Sequence, residues 1–393
     1  MSTEDIVIVA ARRTPIGAFQ GALAPLSGPQ LAAAATKACM DDSQLASTEI
    51  DQAMIGCVLQ AGVGQAPARQ AVLAAGLAPS VNTTTVNKVC GSGMASIIMG
   101  HDMIRSGTAR TVLAGGMESM SNAPYLLPKA RTGLRMGHQD ILDHMFFDGL
   151  QNPYDSHMMG HFAEQTARRY QLSRQDQDQY AAESVRRARA ACENGNFRAE
   201  IVPVTVSSRK GETVVSQDEE PFRADLERIP TMKPAFAKDG TVTAASSSSI
   251  SDGAAALILM GEHEASRRHI APLGRIAGFA AHAQEPEWFT TAPPQAIKSL
   301  LTRIGWRASD VDLFEINEAF ACVALAAMRE LGIDATRVNV NGGACALGHP
   351  IGATGARLIV SLVHALRQRG ARRGVAALCI GGGEALALAV EAG

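Results

Sequence analysis

Two widely separated segments of this chain share one design. Leu113-Ala-Gly-Gly-Met-Glu118 and Leu378-Cys-Ile-Gly-Gly-Gly-Glu384 each close an apolar run with glycines and an acid. Thr111 to Gly116 and Val375 to Ile380 read as buried strands, each ending in a glycine turn. In the first third, strand-like Ile6–Ala11 and 50–59 alternate with helical 30–40, 66–76 and the stretch after Cys90. The last third repeats the arrangement: strand 274–281, helix 294–304, strand 311–315, helix 319–331, then a glycine loop and helix over 341–367. Strands alternating with helices imply an α/β architecture with a covered sheet, and the repeat hints at an internal duplication.

Between the two halves the composition shifts. From Ser121 to about Ile250 the chain carries seven prolines, many charges and few long apolar runs, as expected of an inserted, partly irregular region. Within it Gly160 to Gly195 reads as one long helix. His157 and His161 stand four apart, but Met158 occupies the position where a zinc-protease motif needs Glu, so no metal site is expected. A formal charge of −2 leaves no basic footprint for nucleic acid or membrane and points to a small-molecule partner. The seven cysteines are odd in number and contain no CxxC pair, which fits free thiols in a reducing cytoplasm. No signal-peptide pattern precedes Ile6, and Glu-Ala-Gly is no peroxisomal address.

Four stretches carry chemistry. Val86-Asn-Lys-Val-Cys-Gly-Ser-Gly-Met94 places Cys90 in small residues at the start of a helix, where the helix dipole favours a thiolate and Gly91 and Gly93 admit a ligand to the backbone. His349 sits in the loop Asn339 to Arg357, whose glycines at 348, 352 and 355 do not have dinucleotide-fingerprint spacing, so His349 reads as a base or oxyanion donor. Cys379 ends a buried strand before Gly381-Gly-Gly383, whose N–H groups suit an oxyanion hole. In Glu315-Ile-Asn-Glu-Ala-Phe320 an amide lies among acids where a strand meets a helix, and Asn317 is a good helix N-cap.

Together, Asn87-Lys-Val-Cys-Gly-Ser-Gly93, Gly115-Gly-Met-Glu-Ser-Met-Ser121, Asn317-Glu-Ala-Phe320, Asn341-Gly-Gly-Ala344 with Gly348-His-Pro-Ile-Gly352, and Cys379-Ile-Gly-Gly-Gly383 resemble the thiolase family over nearly the whole chain. The resemblance implies a five-layered αβαβα fold of two duplicated halves. It divides the chain into an N-terminal half (1–120 and 251–271), a loop domain over a coenzyme A tunnel (121–250) and a C-terminal half (272–393). It further implies a homodimer or homotetramer, no tightly bound cofactor, and coenzyme A thioesters as substrates.

The implied reaction is reversible Claisen condensation of two acetyl-CoA to acetoacetyl-CoA and CoA. Cys90 would be the nucleophile, His349 its base and Cys379 the second acid/base. Asn317 would hold a water for the enolate, and the N–H groups of Cys90 and Gly381 would hold the tetrahedral oxyanion. Met159, Phe236, Ala244, Ser248 and Phe320 match positions lining the pantetheine channel, and Arg223 is placed at the nucleotide end. A longer-chain degradative thiolase is the alternative, followed by an inactive acyl-CoA-binding relative. A decarboxylating ketoacyl synthase, which shares the fold, pairs its cysteine with two histidines, against Asn317 and Cys379 here.

The chain departs from the family pattern at three places. Glu384 and Ala385 follow the last glycines, and Glu384 is expected to turn away from Cys379 and pair with a base. Ser249 replaces a glycine in the coenzyme loop, and Met158 stands where many short-chain members have His.

Overall fold

In a strand buried on both faces, alternate side chains enter two different cores. The computed structural model, which describes residues 4–209 and 211–393, shows this in the strand Ser251–Gly261. Ala255, Leu257 and Leu259 enter one core and Ala254, Ala256, Ile258 and Met260 another. Its counterpart Glu384–Ala392 does the same, with Leu386, Leu388 and Val390 on one side and Ala385, Ala387 and Ala389 on the other.

In chain order the principal strands are β1 (Ile6–Arg13), β2 (Gln52–Gly56), β3 (Asn82–Val86), β4 (Thr111–Ser119), β5 (Ser251–Gly261), β6 (Gly274–Ala283), β7 (Leu313–Ile316), β8 (Arg373–Ile380) and β9 (Glu384–Ala392). They form one sheet in the order β7-β8-β9-β6-β1-β5-β4-β2-β3. The order is a mirror about the antiparallel β1–β6 contact, where Val7 faces Arg275. On each side of it two antiparallel pairings are followed by a parallel one. Even the outermost parallel β3 has a vestige on the other side, a single parallel bridge between Phe314 and Val338. The duplication is therefore topological as well as a matter of short motifs.

Five layers follow from where the apolar side chains go. Helices α1 (Gly28–Ser43) and α2 (Pro67–Ala74) cover the outer face of the first half-sheet. The outer face of the second half-sheet packs against α6 (Pro293–Ile304) and the Ala327 side of α7 (Ala321–Leu331). Between the half-sheets lie α3 (Ser92–Arg105) and α8 (Ile351–Arg369), which share the largest core with the inward residues of both. The inserted region supplies α4 (Met159–Arg169) and α5 (Arg174–Glu193).

Some elements differ from the sequence expectation. The Gly115-Gly116 pair is no turn: β4 runs on to Ser119, with Gly115 pressed against the neighbouring strand β5 and Gly116 against α8. A Cβ on Gly116 would stand 2.1 Å from the Gly352 carbonyl oxygen. Its counterpart does turn, through Gly382 and Gly383 at φ 95° and 91°. The single helix read over Gly160–Gly195 is two helices. Gln171 at φ 50° breaks it, and Ser173 restarts it by accepting the Asp176 N–H. Asn317 caps nothing, since α7 begins after Phe320.

Candidate active site

The loop from β3 into α3 is fixed by its own hydrogen bonds. Ser92 Oγ accepts the Lys88 N–H at 2.8 Å and donates to the Val89 carbonyl at 2.7 Å, while Val89 N–H donates to Asn87 Oδ1 at 3.0 Å. These bonds hold Val89 at φ 48°, an uncommon conformation for a β-branched residue, and present half-buried Cys90 beyond the end of the helix. Packing by itself requires glycine at 91 and 93. A Cβ on Gly91 would fall 2.5 Å from Ile380 Cδ1, and one on Gly93 2.7 Å from the Ala356 nitrogen. The close crossing of α3 and α8 is what brings the residues ahead of both helices together.

His349 lies just ahead of α8, with its N–H donating to the Ser249 carbonyl at 3.0 Å. Its Nε2 stands 3.3 Å from Cys90 Sγ. Its Nδ1 stands 2.6 Å from Thr354 Oγ1, which itself lies 3.0 Å from the Pro350 carbonyl. A hydroxyl has one proton to give, and the carbonyl can only accept. We therefore assign the proton on the ring to Nδ1, which donates to Thr354 and leaves the Nε2 lone pair facing the thiol. Thr354, fully buried one turn into α8, was not singled out in the sequence; a hydroxyl placed there after His-Pro was the only signal.

Burial lowers the His349 pKa to about 3, assisted by the charge of Arg357. The same effect pushes the Cys90 thiol up to about 11, against the backbone N–H groups of Gly381 and Cys90 that point at its sulfur. This reverses the expectation of a stabilised thiolate. Cys90 precedes the helix by two residues, and desolvation outweighs the dipole and hydrogen-bond contributions there. The resting pair is thiol and neutral imidazole.

Cys379, at the end of β8, is buried among Phe162, Phe289, Phe320 and Cys322, and this apolar setting raises its thiol well above the ordinary range. Asn317 is fully buried, and among the described residues neither its amide nitrogen nor its amide oxygen has a protein partner. Such an orphaned amide is costly unless something else bonds to it. The adjacent Glu318 is saturated by contrast: Tyr180 Oη, Asn339 Nδ2, Ser184 Oγ and the Cys345 N–H all donate to it at 2.8–3.0 Å. Glu318 thus pins the loop that carries Asn317 to α5.

Comparison with known proteins agrees with this geometry. A model of the thiolase N-terminal domain matches residues 6–263, and one of the thiolase C-terminal domain matches 270–392. The chain belongs to the thiolase family. It is 48% identical to an acetyl-CoA acetyltransferase of Pseudomonas aeruginosa, over 98% of both chains. It is 47% identical to one of Escherichia coli, over 99% of both. The crystal structure of the Bacillus anthracis acetyl-CoA acetyltransferase superposes with a TM-score of 0.97 at 41% identity, covering 99% of each chain.

The remaining candidate residues of this thiolase divide into two groups. Met159, Phe236 and Phe320 pack in the apolar cluster around Cys379, with the Phe236 and Phe320 rings edge-to-face at 5.8 Å. Phe236 lies flat on Gly160, where a Cβ would meet its ring at 2.3 Å. Ser248 donates its N–H to the Ala319 carbonyl at 3.0 Å and so lies beside Phe320. Ala244 is exposed, and so is Arg223, on the short helix Glu220–Arg223 against α5. Ser249 is not among the residues with positive φ, so its replacement of glycine needs no special backbone. His157 and His161 stack on each other at 4.1 Å. Glu384 pairs with Lys88, as expected of a carboxylate turned away from Cys379.

Proposed function

We propose that this thiolase is an acetyl-CoA acetyltransferase, condensing two acetyl-CoA to acetoacetyl-CoA and CoA or running the reverse thiolysis by a ping-pong route. The observation that carries the reading is the Cys90 Sγ–His349 Nε2 contact of 3.3 Å, with the Gly381 N–H directed at the same sulfur. Cys90 attacks the thioester carbonyl as His349 takes the thiol proton. The oxyanion is held by the N–H groups of Cys90 and Gly381, and CoA leaves by taking the Cys379 proton, so that Cys379 becomes a thiolate and His349 stays protonated. S-acetyl-Cys90 remains.

In the second half-reaction the Cys379 thiolate left by CoA release removes the α-proton of another acetyl-CoA. The enolate oxygen rests on the Nε2–H of protonated His349 and on a water held by Asn317, and the carbanion attacks the acetyl group to free Cys90, which takes its proton back from His349. The buried, high-pKa thiol of Cys379 suits the reverse step, in which it protonates the leaving enolate. The unpartnered amide of Asn317 supports its water-holding role.

The further assignments rest on this reading. The mirrored strand order supports division into halves at 1–120 with 251–271 and at 272–393, with 121–250 as the loop domain. Coenzyme A thioesters are the substrates, and no tightly bound cofactor is required. A homodimer or homotetramer is supported by β3, which pairs on one side only, and by exposed Tyr125, Met136 and Ile141. Seven free cysteines support a cytoplasmic location, and coenzyme A thioester substrates are what a role in fatty acid metabolism requires; among the described residues no helix is long and apolar enough to cross a membrane.

The test is CoA-dependent cleavage of acetoacetyl-CoA beside 3-ketohexanoyl-CoA and 3-ketodecanoyl-CoA, with mass spectrometry of the trapped protein. Cleavage of acetoacetyl-CoA alone with an acetyl group on Cys90 is expected. Activity that grows with chain length would assign the longer-chain degradative class instead. No cleavage by folded protein that binds CoA would mark an inactive relative.

A further inference from the structure

Two loops must keep a fixed separation if the N–H groups of Cys90 and Gly381 are to act on one oxygen. They come from opposite halves of the molecule: the Cys90 loop follows β3, and Gly381 opens the turn between β8 and β9. One contact between them is apolar, with Ile380 filling the space that a side chain on Gly91 would need. The other is ionic, with Lys88 Nζ donating to Glu384 Oε2. Both partners are anchored. Lys88 N–H donates to Ser92 Oγ and Lys88 O accepts from Gly91 N–H at 3.0 Å, while Glu384 stands in the sheet opposite both Ile380 and Ala283. The bridge therefore spans from two residues before Cys90 to three residues after Gly381.

We infer that Lys88 and Glu384 are positioning residues for acyl transfer, an ionic strap that sets the spacing of the Cys90 and Gly381 N–H groups across the two halves. The inference rests on the proposed roles of Cys90 and Gly381, and it goes beyond them in giving Glu384 a function. The strap touches no reacting atom. Its two side chains are 34% and 38% exposed, so it contributes modestly and in a salt-screened way. Its effect falls on kcat, because the geometry it controls is used at the tetrahedral stage, and leaves substrate binding alone.

The experiment is a charge swap in the full chain. Glu384→Gln and Lys88→Met are each expected to lower kcat for acetoacetyl-CoA cleavage by about two- to fivefold at unchanged KM, with the melting temperature recorded beside them. The pair Lys88→Glu with Glu384→Lys is expected to restore most of that loss. Unchanged kcat in both single variants would overturn the strap. So would a swap as slow as the two single losses multiplied together, or a rise in rate for Glu384→Gln, which would place the carboxylate against Cys379. If the unaltered protein forms no acyl group on Cys90, the site reading fails by itself. Normal acylation of the unaltered protein with no rescue by the swap would sink the strap alone.

Discussion

Cys90 and His349 illustrate how a residue type can be legible while its electrostatic state is not. A cysteine among small residues and a histidine among glycines are visible in the chain. The desolvation that each suffers depends on elements hundreds of residues away. With the thiol pushed up to about 11 and His349 lowered to about 3, neither is ionised at neutral pH. A raised acid pKa means less thiolate at a given pH than in free cysteine. Alkylation of Cys90 by iodoacetamide should therefore be slower than that of free cysteine at pH 8 and keep rising toward pH 11. A plateau below pH 8 would contradict the neutral pair. Thr354 was hidden because it acts through another residue. Thr354→Val leaves the Nδ1 proton of His349 buried without an acceptor, a cost of about 1–3 kcal/mol, or roughly 5–150-fold in acylation rate. Thr354→Ser should recover most of the rate. Quenched-flow measurement of acyl-enzyme formation distinguishes the two variants.

At the scale of elements, β1, β4 and β8 are legible because each contains a continuous apolar run, whereas β5 and β9, the strands that alternate into two cores, are alanine-rich and do not read as strands. β3, with three threonines and a half-exposed face at the sheet edge, offered no such run and passed unread. The glycine pair of β4 misled in the opposite direction, since its lack of side chains reflects the pressure of β5 on Gly115 and of α8 on Gly116 and not a turn. The same pressure governs the α3–α8 crossing. A Cβ on Gly355 would stand 2.4 Å from the Met94 nitrogen, a backbone atom that cannot swing aside. Gly355→Ala should push the two helix starts apart, costing about 1–3 kcal/mol of stability by overpacking. Because Cys90 and His349 ride on those starts, acylation should fall together with the melting temperature. Stability lost with full acylation activity would show that the crossing does not set the Cys90–His349 distance.

For the whole molecule, the question is what joins the inserted region to the duplicated core. The strand read from the sequence stops at Ala11, and the pair of charges Arg12-Arg13 gives no hint of burial. Arg13 is instead the last residue of β1 and fully buried, with its guanidinium 2.6 Å from both Glu200 and Asp218 of the insertion. Glu200 also accepts from Ser361 of α8 at 3.1 Å, and Asp218 accepts the Ile16 N–H at 2.8 Å. One cation therefore holds the insertion to the first half and, through Glu200, to the helix that follows His349. Buried pairs like this add little when compared with an apolar replacement, but breaking one strands its partners. Arg13→Met leaves two buried carboxylates without their counter-ion and should cost about 3–5 kcal/mol in urea unfolding. Neutralising the partners as well, with Glu200→Gln and Asp218→Asn, should return much of that loss. If the triple variant is no more stable than Arg13→Met, the cost lies in the lost contact of the guanidinium with the Phe197 ring, whose centroid is 4.8 Å from Arg13 Cζ, and not in the stranded charges. Limited proteolysis adds the spatial half of the argument: cleavage within 121–250 should speed up in Arg13→Met ahead of global unfolding, because the cation is the joint between that region and the core.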